Sequence, residues 1–171
     1  LNCGSTHPDH LARVVVEEGC LIGVAFDGDG DRAIFVDDRG RIVNGDAVLY
    51  LCARQLKYEG RLRGNAVVAT VMSNIGLELA LRDLGIDLVR CAVGDKYVME
   101  EMAARGLVLG GEQSGHVIFA DYLFTGDGLC TALNVLRTMT VAGRSLSDLV
   151  SSLVTYPQVL VNVRVKERVE V

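Results

Sequence analysis

Apolar residues along this chain fall into short runs separated by glycine-marked polar breaks. Leu21–Phe26 is a continuous apolar run of strand length, and Ala33–Val36 is a second, closed by the turn Asp37-Asp38-Arg39-Gly40. The spacing of Ala47, Leu49, Leu51, Cys52 and Leu56 predicts a helix to about Tyr58, with Asp46 as its N-cap and Gly60 and Gly64 at its exit. Ala66–Val71 reads as a strand. Asn74 then caps a helix over Ile75–Leu84 that Gly85 ends. Ile86–Val93 is the next strand, and Asp95–Ala104 a helix stopped by Gly106. Leu107–Leu109 is a strand, Gly110-Gly111 a turn, and Val117–Phe119 a short strand. Asp127 caps a long helix over Gly128–Val141. Ser145 opens a shorter one to about Leu153, and Pro157 halts it. From Gln158 the chain alternates again, with Val159, Val161, Val163 and Val165 on one face.

This order predicts an α/β fold: a mixed, largely parallel sheet flanked by helices, preceded by part of a second α/β domain. The strands after Ala66 are almost wholly apolar, as in a sheet covered on both faces. Three segments are expected: 1–44, the C-terminal part of one domain; 45–156, a complete α/β domain; and 157–171, a linker and the start of another. A terminal strand with no partner suggests a chain cut from something longer.

The chain has 171 residues, half of them hydrophobic, enough for one ordinary domain or two small ones. A net charge of -5 without a Lys/Arg tract carries no electrostatic footprint for nucleic acid and no basic face for anionic membrane. No apolar run approaches the ~18 residues that cross a bilayer. The five cysteines, Cys3, Cys20, Cys52, Cys91 and Cys130, are odd in number and never form C-x-x-C. They read as buried, reduced thiols of a cytoplasmic protein.

The candidate chemistry lies in two loops. In Phe26-Asp27-Gly28-Asp29-Gly30-Asp31-Arg32 three carboxylates alternate with glycines. Glycine lets the backbone turn between successive ligands, and about three negative charges in one place call for a cation. Hard oxygens suit Mg²⁺, and Arg32 adds a bidentate phosphate donor beside it. A Ca²⁺ loop of EF-hand type fits less well. Arg32 stands where that loop requires glycine, Asp38 where it requires glutamate, and the flanks are strands. An acidic surface turn with no metal is the remaining alternative.

The second loop, Gly110-Gly111-Glu112-Gln113-Ser114-Gly115-His116, ends a strand expected to be parallel, the edge where open α/β sheets bind ligands. Glu112, Ser114 and His116 suit hydrogen bonding to sugar hydroxyls, with His116 also a candidate proton shuttle. A glycine-rich connection with a capping glutamate is the plainer reading. Lys96, at a helix start where the dipole disfavours a cation, is either solvated or faces an anion. Cys3, Ser5 and His7 imitate nucleophile parts but read as a turn, and Thr125-Gly126-Asp127-Gly128 reads as a helix cap.

Together these motifs resemble the α-D-phosphohexomutase superfamily, and within it the bacterial phosphoglucosamine mutase family. The match rests on Asp27–Arg32 and on Gly111–His116 with glutamine at 113. It extends to Asn2–Pro8, Thr70–Asn74 and Val93–Val98. The resemblance implies a four-domain cytoplasmic enzyme, a homodimer at full length, whose other domains lie outside this chain. It implies interconversion of glucosamine 6-phosphate and glucosamine 1-phosphate through a phosphoserine and a bisphosphorylated sugar, feeding UDP-N-acetylglucosamine and cell-wall synthesis. Asp27, Asp29 and Asp31 would hold one Mg²⁺, and Arg32 would lie near the phosphoserine. Glu112, Ser114 and His116 would bind the sugar, and Lys96, His116 and Arg32 are the catalytic candidates. The superfamily's Ser-His-Asn-Pro motif does not occur in these 171 residues. The chain alone is therefore expected to be inactive and to bind Mg²⁺ weakly or not at all. Phosphomannomutase/phosphoglucomutase and a non-catalytic sugar-phosphate-binding module are the alternatives.

Overall fold

A computed structural model describes residues 3–161. Two sheets organise it. Helix α1 (Asp9–Glu17) precedes a three-stranded antiparallel sheet of β1 (Ile22–Phe26), β2 (Ala33–Asp37) and β3 (Ile42–Val43), in spatial order β1-β2-β3. Helix α1 interrupts a stretch in which no element was expected. Its Leu11 and Val15 lie where a Cβ on Gly23 would be, so the missing side chain lets the helix rest directly on β1.

The second sheet has the order β5-β4-β6-β7, from β4 (Ala66–Thr70), β5 (Asp87–Cys91), β6 (Leu109–Gly111) and β7 (Val117–Phe119). β4 runs parallel to β5 and β6, and β7 is antiparallel to β6. This is the mixed, largely parallel sheet expected. Alternation along β4 sorts the layers. Val67 and Ala69 join the larger core with α2 (Gly45–Tyr58), α3 (Ile75–Asp83) and α5 (Gly128–Ala142), while Ala66 and Val68 face the smaller core under α4 (Asp95–Arg105). The larger core also takes Ala33, Phe35 and Val43, so α2 packs between the two sheets. A short α6 (Leu146–Leu149) closes it through Leu146 and Leu149.

Several boundaries differ from expectation for physical reasons. Asn44, not Asp46, caps α2 by accepting from Ala47 N–H at 3.2 Å, and Asp46 turns inward, 3% exposed. Gly110 and Gly111 belong to β6 rather than a turn. A Cβ on Gly110 would strike Met102 Sδ, and one on Gly111 would strike the backbone oxygen of His116. Helix α6 stops at Leu149, before Pro157 is reached. No strand forms over residues 158–161, and the rest of that expected strand lies outside the described residues. All five cysteines are free, but Cys3 and Cys20 are exposed, against the expectation of burial.

Candidate metal and sugar-phosphate site

The loop 27–32 is the hairpin connection between β1 and β2, so an antiparallel pair fixes both its ends. Asp27, Asp29 and Asp31 each present a carboxylate oxygen within 4.8 Å of the others. Gly30 takes φ +77°, the left-handed conformation that turns the chain between the second and third carboxylates. Arg32 N–H donates to Asp27 Oδ1 at 3.2 Å, and the Arg32 guanidinium lies 3.6 Å from Asp27 Oδ2. Burial and the neighbouring Asp27 carboxylate raise the Asp31 carboxyl. At Asp27 burial acts in the same direction, but the Arg32 amide and Asp31 outweigh it and hold the carboxyl low. Two acidic groups that cannot both ionise freely, with Asp31 Oδ1 buried and unpartnered, form a donor set suited to a hard divalent cation.

The segment after β7 supports this loop. Gly128 N–H donates to Gly30 O at 2.8 Å, and a Cβ on Gly128 would strike Arg32 O, Gly30 O and the Phe26 ring. Asp127 caps α5 by accepting from Cys130 N–H at 2.6 Å, as expected. The glycines on either side of it were not recognised as functional in sequence, although two glycines flanking a cap residue are a usable signal for close backbone approach. The turn at Cys3–Pro8 is a turn, with His7 N–H on Gly4 O and Ser5 N–H on Phe26 O, both at 3.0 Å.

The loop 112–116 joins β6 to β7 and lies against the first loop. Residues 32 and 116 form an antiparallel β-bridge, and Ala33 N–H donates to Gly115 O at 3.1 Å. His116 is 4% exposed. Its Nδ1 is 3.0 Å from Asp31 Oδ2, and its Nε2 accepts from Gly126 N–H at 3.2 Å. With Nε2 accepting, the ring proton sits on Nδ1 and points at Asp31. Both ring nitrogens are thus engaged within the protein, and His116 ties the two loops together.

Glu112 and Ser114 remain on the open side. Glu112 Oε1 accepts from Gly94 N–H at 2.9 Å, and Ser114 Oγ is 3.4 Å from Glu112 Oε2. With Thr70, Met72, Val93 and Gln113 they line a cavity of about 290 Å³ at the C-terminal edge of β4, where parallel sheets place ligands. Lys96, in the first turn of α4, is exposed, with Nζ 3.7 Å from a Glu100 carboxylate oxygen. The structure therefore brings together Asp27, Asp29, Asp31, Arg32 and His116 in one group and Glu112 with Ser114 in a second beside it. Lys96 lies two residues after Gly94, whose N–H meets Glu112, and its own ammonium group faces Glu100.

Residues 44–156 match the model of the phosphoglucomutase/phosphomannomutase family, alpha/beta/alpha domain III. The chain belongs to this family. It is 54% identical over 170 residues to a phosphoglucosamine mutase of Thermoanaerobacter sp. (strain X514), covering 99% of this chain and 38% of that protein. It is 57% identical over 168 residues to one of Solibacter usitatus (strain Ellin6076), covering 98% and 38%. The chain thus spans a little over a third of the length of these relatives. A phosphoglucomutase/phosphomannomutase family protein from Burkholderia thailandensis superposes with a TM-score of 0.76 at 29% identity, covering 89% of this chain and 33% of that one. No helix among the described residues is long and apolar enough to cross a membrane.

Proposed function

We propose that this chain supplies the metal loop and the sugar-binding loop of a phosphoglucosamine mutase. That enzyme would be a cytoplasmic isomerase interconverting glucosamine 6-phosphate and glucosamine 1-phosphate through a phosphoserine and a bisphosphorylated sugar. In this reading 1–44 is the end of one domain, 45–156 a whole domain, and 157–171 the way into the next. The observation that carries it is the join between the two loops: the backbone bridge of residues 32 and 116, reinforced by His116 on Asp31. It sets carboxylates fit for a divalent cation beside groups fit for vicinal hydroxyls. The identity to phosphoglucosamine mutases over nearly the whole chain supports the choice of an amino sugar.

Asp27, Asp29 and Asp31 would hold Mg²⁺, which neutralises charge on the phosphoryl group when bound. Arg32, whose side chain is 43% exposed, offers N–H donors to the phosphate that transfers. Glu112 and Ser114 grip sugar hydroxyls. His116 holds Asp31 in place, and Lys96, exposed beside Glu100, would meet an anionic substrate and move a proton. Phosphoryl transfer depends chiefly on such positioning and charge.

The test is binding calorimetry on this chain with glucosamine 6-phosphate, glucose 6-phosphate and mannose 6-phosphate, with and without Mg²⁺. The amino sugar should bind best, Ser114→Ala and Glu112→Gln should weaken it, and no isomerisation should occur. A preference for mannose 6-phosphate or glucose 6-phosphate would favour a phosphomannomutase/phosphoglucomutase instead. Turnover by the chain alone would show that the missing serine motif is not required. Tight stoichiometric Mg²⁺ uptake, lost in Asp29→Ala, would contradict the weak binding expected here.

A further inference from the structure

Asp46 is 3% exposed, on the first turn of α2, and takes no part in the chemistry above. Its Oδ2 accepts two hydrogen bonds from different loops: from Asn74 N–H at 2.8 Å and from the Gln113 side-chain amide at 3.3 Å. Its Oδ1 is buried, with the Ser73 hydroxyl beside it. Burying a carboxylate costs stability unless hydrogen bonds offset it, and here they come from two separate loops. Burial raises this carboxyl above the usual range, with the Asn74 amide opposing.

Asn74 extends the connection. Its Oδ1 accepts from Gly76 N–H and from Tyr156 N–H, each at 3.0 Å. Its Nδ2 donates to Tyr156 O at 2.8 Å and to Gln158 Oε1 at 3.3 Å. Gln158 Nε2 returns a bond to Met72 O at 3.0 Å. Backbone contact seals the arrangement: a Cβ on Gly76 would sit 1.8 Å from Val154 O. An unbroken series of hydrogen bonds therefore runs from the 112–116 loop, through Gln113, Asp46 and Asn74, to the segment 154–158 that leaves the parallel sheet.

We propose that Asp46 is a positioning residue: it holds the candidate sugar loop through Gln113 and the departing segment through Asn74, so that the two keep one relative placement. Its relevance to a sugar rests on the function proposed above, but the linkage itself does not.

The test is amide hydrogen exchange on this chain with no sugar present, so that it stands or falls apart from the substrate reading. Asp46→Leu removes both acceptors while keeping the branched shape and the same number of side-chain heavy atoms. It should speed exchange about tenfold at Asn74, Gly76 and Tyr156 on one side and at Gly45 and Gly115 on the other, while amides of β2 stay protected. Asp46→Asn keeps a carbonyl acceptor at the Oδ2 position and should restore protection to within about threefold of wild type. Wild-type protection at Tyr156 or Gly115 in Asp46→Leu would overturn the proposal. So would an equal rise across β2, which would make Asp46 a general stability residue. If Asp46→Leu fails to fold, Gln113→Ala separates the arms. It should release Gly115 and leave Tyr156 protected, and a protected Gly115 there would show that Asp46 does not hold the loop.

Discussion

Gly45→Ala should open the site from behind. Gly45 starts α2, and its N–H donates to Gln113 O at 3.0 Å. A Cβ on it would lie 1.9 Å from Glu112 O and 3.0 Å from both Glu112 C and Gly115 N, all of them backbone atoms. To reach a tolerable contact, loop or helix has to shift by about 1 Å. Neither is free to do so. The loop is tied by Glu112 N–H on His116 O and Ala33 N–H on Gly115 O, and the helix by buried Ala47, Val48 and Leu49. Overpacking of this kind costs about 1–3 kcal/mol, and replacing a helical glycine by alanine returns up to about 1 kcal/mol. The net expectation is a loss of about 1–2 kcal/mol. In urea unfolding followed by circular dichroism, the midpoint should fall by on the order of 0.5–1 M with unchanged slope. A shift of about 1 Å in the loop should also weaken glucosamine 6-phosphate binding by about tenfold or more. Gly28→Ala is the control: its Cβ meets nothing within 4 Å, and its stability should stay within about 0.5 kcal/mol of wild type. A Gly45→Ala midpoint at or above wild type would refute the reasoning, because helix propensity would then outweigh the contact.

Three further outcomes follow from the same geometry. His116→Ala strands the Gly126 amide and removes the partner of Asp31, so urea unfolding should show a loss of about 2–4 kcal/mol, well beyond a surface histidine such as His7. Asp127→Ala removes the α5 cap from Cys130 N–H and should cost about 1 kcal/mol by thermal or urea melting, with Asp127→Asn restoring most of it. Burial would raise the Glu59 carboxyl, but Gln55, Arg137 and Arg61 outweigh it and hold it below its ordinary value of 4.5. A lowered carboxyl contributes stability above the unfolded value and loses it as pH falls through the folded one. Glu59→Gln should therefore melt below wild type at neutral pH, with the gap closing on acidification below about pH 4.5.

The parallel sheet was legible because its signals are local. Continuous apolar runs marked β4 and β7, and Asn74, Gly85, Gly106 and Asp127 sit at helix ends for reasons of backbone geometry that one residue can satisfy. Other features depend on partners far away in sequence. Gly110 and Gly111 look like a turn until β4 pairs beside them and Met102 packs above them. Asp46 has the residue type of a cap, but Asn74 and Gln113 draw it inward. Helix α1 carries the run Val14-Val15-Val16, which favours a strand locally. It is helical because Val15 buries against Gly23. At the site, the alternating aspartates announced themselves, since their charge has few other uses. The direction of His116 did not, because a histidine's type says what it can do and only its two neighbours, Asp31 and Gly126, say which way it points.

The bridge between residues 32 and 116 bears on how such a protein can be recombined. A crossover near Asn44-Gly45, where composition suggests a natural join, would keep the chain continuous. It would still marry a 27–32 loop from one parent to a 112–116 loop from another. The seam between the two sheets passes through the binding surface, so both loops have to be inherited together for their spacing to survive. Hybrids shuffled among relatives should accordingly sort by whether they keep a matched 32/116 pair, and not by the fraction of residues taken from each parent.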